Sequence, residues 1–318
     1  MAVKLRFFSL LILILVLAGC NQNRAQDAPF ETVDSAQLLA DIKFLASDEL
    51  EGRFPGTEGN RIAREYIAER FQTHGLSMFG DTFEQPFSFT NRRTGVEFEN
   101  AVNLIGYIEG SLHPDRFIVV TAHYDHLGVQ DGEIYNGADD NASGTGGLMA
   151  AVRYFSHNQP ESSILFVAFD AEEQGLQGAH YFVENPPVDL DAIVLNVNMD
   201  MISVNFDDEL YAVGTYHYPF LKPLIEEASS GASIDVLFGY DNADAPQDWT
   251  MSSDHGPFHM KGIPFVYFGV EDHPHYHQPS DIFENINPEF YVAAVETIIG
   301  IIRHLDLNIE HIIESSGR

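Results

Sequence analysis

From residue 117 onward the chain alternates short, almost wholly apolar runs with segments of helical periodicity, and few folds accommodate that grammar. Residues 117–121, 163–169, 193–197, 210–213 and 264–268 are such runs. A strand without polar alternation has both faces covered, as in a mostly parallel sheet. Between the runs, apolar spacing predicts helices over residues 144–156, 176–184, 219–229 and 288–305. The pattern predicts an α/β protein with a mainly parallel, mixed central sheet sandwiched by helices. Upstream, helical spacing recurs over residues 35–45 and 60–74, with Gly75 as a helix stop. Residues 82–90 and 96–109 read as strands, and the Gly- and Pro-bearing stretch 46–57 as a loop. With no internal repeat and no composition break, residues 31–318 are expected to form a single catalytic domain. A chain of this size buries roughly three quarters of its unfolded surface.

The first 19 residues read differently. Lys4 and Arg6 precede an apolar run over residues 7–17, then Ala18 and Gly19, then Cys20. The run has signal-peptide length and is short for a bilayer span. The Leu-Ala-Gly-Cys box resembles a bacterial lipoprotein signal, which implies cleavage before Cys20 and lipid attachment there. Residues 1–19 are then the signal, residues 20–30 a polar tether, and the protein exported and anchored to a bacterial membrane, in the periplasm or at the cell surface. An ordinary signal peptide or signal anchor is the other reading. Cys20 is the only cysteine, so disulfides and thiolate metal sites are excluded.

Charge narrows the partners. The sequence holds 16 Lys and Arg against 48 Asp and Glu, a formal charge of −32. Nucleic-acid binding and basic-patch docking on anionic lipid both need clustered cations and are not expected. An acidic surface suits solubility in salt and attraction of cations.

Polar residues gather at the predicted strand ends, where ligands bind in open α/β sheets. The first run leads into His123, Tyr124, Asp125 and His126. A His two residues before an Asp suits a metal ligand with its orienting carboxylate, or a hydrogen-bonded loop. His126 reads only as a loop residue. Asp139 and Asp140 precede Asn141, Ser143 and Gly144 at a helix start, where they serve as a cap or as a bridging ligand. The next run ends in Asp170, Glu172 and Glu173. Two adjacent Glu residues after so apolar a strand suit one ligand and one general base. Asp200, between two Met residues, needs a partner for a buried carboxylate. His273, His275 and His277 alternate in a loop that is either solvated or ligating. Oxygen and imidazole ligands without thiolates suit zinc or a related divalent ion.

In order, these motifs resemble the co-catalytic zinc aminopeptidases of metallopeptidase family 28. The resemblance spans roughly residues 37–306, with softer matches at residues 45–53 and 253–258. It implies two divalent metal ions, zinc above all. His123, Asp140 and Asp200 would hold one; Asp140, Glu173 and His277 the other, with Asp140 bridging. Asp140 is taken over Asp139 because it lies three residues before Ser143, as in the family pattern. Glu172 would be the general base, Asp125 the orienter of His123, and Tyr276 a donor to the oxyanion. Gln278 stands where the family often has Thr.

The implied activity is hydrolysis of the N-terminal residue from peptides with a free N-terminus. A carboxypeptidase usually needs a cation for the terminal carboxylate. Between residues 117 and 302 the only Lys or Arg residues are Arg153, Lys222 and Lys261; Arg53 is the remaining candidate clamp. The alternatives are a carboxypeptidase or a glutaminyl-cyclase-like acyltransferase on the same fold, or a non-catalytic binding relative. Trp249, the only tryptophan, either lines a side-chain pocket or fills the core. Ser252, Ser253 and Asp254 are expected to cap a following helix, and Asp254 is a candidate support for His277.

Overall fold

The computed structural model describes residues 33–242, 244 and 247–318. The signal segment, the tether and Cys20 lie outside them. The described residues belong to one compact unit. In chain order the strands are β1 Glu84–Thr90, β2 Glu97–Ile108, β3 His113–His123, β4 Gly128–Gln130, β5 Glu133–Tyr135, β6 Ser162–Phe169, β7 Ile193–Met199, β8 Glu209–Val213, β9 Asp235–Phe238 and β10 Phe265–Gly269. The helices are α1 Ser35–Leu45, α2 Glu58–Thr73, α3 Gly144–His157, α4 Gln177–Glu184, α5 Leu221–Ser229, α6 His255–Met260, α7 Pro288–Leu307 and α8 Ile309–Ser316.

Eight strands form one sheet in the order β1-β2-β6-β3-β7-β10-β8-β9. Its centre, β6-β3-β7-β10, is parallel. The β1–β2 hairpin adds antiparallel to β6, and β8 adds antiparallel to β10 with β9 parallel beyond it. The sheet is thus mixed with a parallel middle, as expected. β6, β7 and β10 are buried at every position, which is why they read as unbroken apolar runs.

Alternate residues serve different cores because successive strand side chains point to opposite faces. Ile118, Val120, Ile164 and Phe166 meet α1, α2, α3 and α7 on one face. Val119, Leu165, Val167 and Phe169 meet Phe182 of α4 and Phe258 of α6 on the other. Helix starts follow local chemistry. Asp34 accepts from the Gln37 N–H, Thr57 from Asn60 and Asn287 from Phe290, with Pro288 opening α7. Gly59 lets α2 touch the preceding turn: a Cβ there would lie 1.8 Å from the Leu50 carbonyl oxygen.

Several elements were not legible beforehand. Residues 46–57 contain a 3₁₀ turn, Asp48–Arg53. β4, β5 and β9 are only three or four residues long and partly exposed, too short to show a period. β3 begins four residues early, with a register shift between His113 and Phe117 that carries polar residues into the strand. Asp254 does precede α6, but its side chain makes no cap hydrogen bond. Among the described residues no helix is long and apolar enough to cross a membrane.

Candidate metal centre

His123 is the last residue of β3, and Glu172, Asp200 and the 272–281 loop follow the ends of β6, β7 and β10. Parallel strands place these ends at one edge of the sheet. The structure brings together all eight residues singled out: His123, Asp125, Asp140, Glu172, Glu173, Asp200, Tyr276 and His277.

Asp140 stands at the centre. Its Oδ1 lies 3.4 Å from His123 Nε2, which is also 3.3 Å from Asp200 Oδ1. Its Oδ2 lies 3.0 Å from His277 Nε2, itself 3.4 Å from Glu173 Oε1. One carboxylate therefore offers one oxygen to each of two donor groups. His123, Glu172 and Asp200 form one cluster able to hold a cation, and His126, Asp140 and Glu173 another.

His126 is the residue that sequence reasoning missed. It is completely buried, with Nδ1 at 2.8 Å from Glu173 Oε1 and 3.9 Å from Asp140 Oδ2. Its only sequence signal is proximity to His123, three residues earlier.

The residues present fit metal ions. His123 Nε2, His126 Nδ1, Glu173 Oε1 and Asp200 Oδ1 are buried and make no hydrogen bond despite their short separations. Tetrahedral ligands about 2.1 Å from one ion stand roughly 3.4 Å apart, and the N···O separations above bracket that value. Such atoms converge on a common point between them. Orphaned buried polar atoms are costly unless a partner fills that point.

Electrostatics agree. Burial disfavours the charged His123 imidazole, yet Asp200 and Glu172 outweigh it and raise its pKa well above the ordinary value. Burial likewise opposes His277, but Asp140 and Glu173 push it up to about 10. Glu172 is raised well above the carboxylate range, first by burial, then by Glu173, Asp254 and Asp200, with His123 opposing. Asp254 is raised too, chiefly by burial, and both its oxygens lack hydrogen bonds. Asp125 and Asp200 raise it further, with His123 opposing; having no hydrogen-bond partner on either oxygen, it is not bonded to His277 as expected. A pocket this rich in buried carboxylates draws positive charge, as protons or as metal.

The surrounding loops fix these side chains. The Asp281 carboxylate accepts the N–H groups of Asp139 at 2.8 Å and Asp140 at 3.0 Å. Asp139 is turned away from the centre, accepting from the Ser203 N–H and hydroxyl and contacting His273. His275 contacts Ser280, so of the three alternating His residues only His277 joins the centre. Gly137 has a φ of 58°, and a Cβ there would meet the Asp140 carbonyl oxygen at 2.1 Å and the His126 ring at 2.5 Å. Asp125 directs both its oxygens to the N–H groups of Glu172 and Glu173, at 3.0 and 3.3 Å. Its carboxylate is 3.7 Å from His123 Nδ1, which lies nearer the Asp125 main-chain oxygen, at 3.2 Å.

Arg53 is not a clamp. It is fully buried and donates to the carbonyls of Tyr124, Leu45, Asn136 and Gly137 at 2.5–3.0 Å. Burial lowers its pKa to about 10, against the pull of Asp125, Asp281, Asp140 and Glu173. It is a fixed cation behind the acidic cluster.

Beside the centre opens a cavity of about 320 Å³, lined by Asp140, Asp200, Trp249, Tyr267, Asp272 and Tyr276 among others. Trp249 stacks on Tyr240 and meets Tyr211 and Tyr267 at their edges, so it both packs and lines the pocket. The Tyr276 ring stacks on His277 with centroids 4.0 Å apart.

A model of peptidase family M28 matches residues 103–302. Aminopeptidase YwaD of Bacillus subtilis (strain 168) is 28% identical over 273 residues, covering 81% of this chain and 55% of its own length. The chain thus spans about half of that relative. Among solved structures, a Zn-dependent exopeptidase from Parabacteroides distasonis superposes with a TM-score of 0.69 at 18% identity, covering 86% of this chain and 99% of the other. A glutaminyl cyclase from Porphyromonas gingivalis gives 0.70 at 19% identity, covering 87% and 99%. Both structural likenesses speak for the fold alone.

Proposed function

The chain belongs to peptidase family M28, and on that premise we propose that it is a zinc-dependent aminopeptidase. His123, Asp140 and Asp200 would hold one ion, and Asp140, Glu173 and His277 the other. The observation that carries this reading is the division of the Asp140 carboxylate between two donor groups. Bound there, two divalent ions would lower the pKa of a shared water and polarise the scissile carbonyl. Glu172 takes the proton of the attacking water and returns it to the leaving amine. Asp125 sets the position of Glu172 by holding its main-chain N–H. Tyr276, kept protonated by burial and by Asp140 and Asp200, donates to the developing oxyanion. His126 faces Glu173 alongside His277 and holds that carboxylate in place or joins it on the ion.

The pocket supports recognition of an N-terminus. Asp272 and Asp248, which the metal ions leave free, can receive an ammonium, while Trp249 and Tyr267 can face an apolar side chain. Cys20, outside the described residues, is the proposed lipid attachment point; mass spectrometry of the membrane-extracted protein tests it.

Free and N-acetylated aminoacyl anilides, with and without chelator, test the activity. Chelator-sensitive release from free amines only is the expected result. No release from any of them, by a protein shown to hold metal, would move the assignment to the cyclase-like reading that the shared fold leaves open.

A further inference from the structure

A second and larger cavity, about 700 Å³, adjoins the first at Glu172 and Glu173, which line both. That volume is within the range of ligand-binding clefts. Its character is different. One wall is the turn of the β1–β2 hairpin, with Asn91, Arg92 and Arg93, and Gln174, His180 and Met260 stand among the residues that face it.

The turn is fixed to the catalytic loop. Asn91 donates from its amide to Gln174 Oε1 at 2.8 Å, one residue beyond Glu173. Asn91 also accepts the N–H of Arg93 at 2.9 Å and of Thr94 at 3.2 Å. Below the turn, Phe89 stacks on Phe98 and Phe87 on Tyr181 of α4. The two guanidinium groups are therefore carried on a built support.

Both arginines are exposed, and among the described residues neither forms an ion pair, in contrast to Arg61, Arg64 and Arg70 and in common with Arg116, Arg153 and Arg303. In a chain with three acidic residues for each basic one, what distinguishes this pair is its place: two adjacent arginines line the cavity that Glu172 also lines. Burial and Arg92 together hold His180 below its ordinary pKa, so the fixed positive charge of this cavity is the arginine pair.

The charges of the two cavities assign their contents. Apart from the metal-holding groups and Glu172, the aromatic cavity carries Asp248 and Asp272 and, among its described lining residues, no Lys or Arg; it suits an ammonium. In the other cavity Arg92 and Arg93 stand against Glu172 and Glu173, and it is the hairpin end, with its two guanidinium groups, that attracts an anion. Glu172, at the junction, must stand where the amide bond breaks, so the segment leaving with the new amine extends into the arginine cavity.

We propose that Arg92 and Arg93 form a carboxylate-binding subsite for the leaving part of the substrate, directing the enzyme to short peptides whose carboxylate reaches the hairpin turn. Guanidinium groups pair with carboxylates in a planar, two-bond geometry that lysine does not reproduce. The carboxylate is either the C-terminus of a di- or tripeptide or an acidic side chain. This inference rests on the aminopeptidase reading for the direction of the chain, but its binding test does not require turnover.

The test titrates Leu-Ala-Ala as free acid and as C-terminal amide into metal-loaded Glu172→Gln protein by calorimetry. It repeats the titration with Arg92→Ala/Arg93→Ala added. The free acid should bind about fivefold to twentyfold more tightly, the range of a charge-assisted hydrogen bond weakened by solvent. The preference should vanish in the double-alanine protein, return in part with Arg92→Lys/Arg93→Lys, and shrink at high salt. Cleavage of leucine anilide, which has no carboxylate, should be unchanged by the arginine substitutions in an otherwise wild-type enzyme. Leu-Glu-amide against Leu-Gln-amide separates an acidic side chain from a C-terminus as the source. Equal binding of acid and amide, with equal binding of the Glu and Gln peptides, overturns the subsite, as does a preference that survives the alanines. If wild type cleaves no peptide while the arginine-dependent preference is present, the aminopeptidase reading fails and the subsite stands.

Discussion

A single carboxylate, Asp140, organises the centre, because its two oxygens face two different donor groups. Its neighbour Asp139 has the same chemistry and a different role, since Ser203 and His273 engage it within the wall. Glu172 and Glu173 divide in the same way. Glu173 faces the imidazoles of His126 and His277, whereas Glu172 stands with His123 and Asp200. Glu172→Gln should therefore keep its metal and lose turnover by about 10²- to 10⁴-fold. Metal analysis beside steady-state rates checks this, and wild-type turnover would remove Glu172 from its role. His126→Ala should weaken binding of one ion of the pair by about 10- to 100-fold, as loss of a group that holds a ligand does. Titration against a competing chelator reads that loss without activity. Undiminished affinity for both ions would return His126 to the plain loop residue that its sequence context suggests.

At the scale of elements, the centre exists because separate segments are tied behind it. Arg53 links the end of α1 (Leu45), the residue after β3 (Tyr124) and the segment before Asp139 (Asn136 and Gly137) through four main-chain oxygens. Asp125 ties the end of β3 to the loop after β6, and Asp281 ties the loop after β10 to the start of the Asp139–Asp140 turn. Arg53→Met keeps much of the volume and leaves those oxygens without their donor. A loss of at least about 3 kcal/mol is expected, since each buried unsatisfied group costs roughly 1–3 kcal/mol. Denaturant unfolding measures it, and stability within about 0.5 kcal/mol of wild type would show that water replaces the guanidinium. The β1–β2 hairpin plays the complementary part, standing at the edge of the sheet and reaching over the loop after β6.

For the whole molecule, the acidic excess and the carboxylate cluster act together. Removing metal leaves Asp140, Glu173, Asp200 and Glu172 facing one another with only imidazoles between them. An ion that binds only the folded state stabilises it by about 2.7 kcal/mol at a hundredfold excess over its dissociation constant. Chelation should therefore lower Tm by roughly 5–10 °C, and zinc should restore it. A melting curve indifferent to chelator and to added zinc would mean that the cluster stays empty.

Much of this was written along the chain. Apolar runs such as residues 164–169 specify buried strands by themselves, because nothing polar in them could face water. Their alternation with helices specifies a parallel middle, and the polar residues that end each run specify which edge carries chemistry. Asp140 over Asp139 followed from spacing to Ser143 through family resemblance. What the sequence alone could not determine depends on distances between segments far apart in the chain. His126 looks like any loop histidine until β6 brings Glu173 to within 2.8 Å of it. Arg53 looks like a free cation until four carbonyls from three segments close around it. Arg92 and Arg93 lie outside every motif, and only the antiparallel addition of β1 and β2 to the sheet sets them beside Glu172. Local patterns record burial and chain direction, which each residue feels where it stands; convergence of charge is a property of the packed chain, and it was decided there.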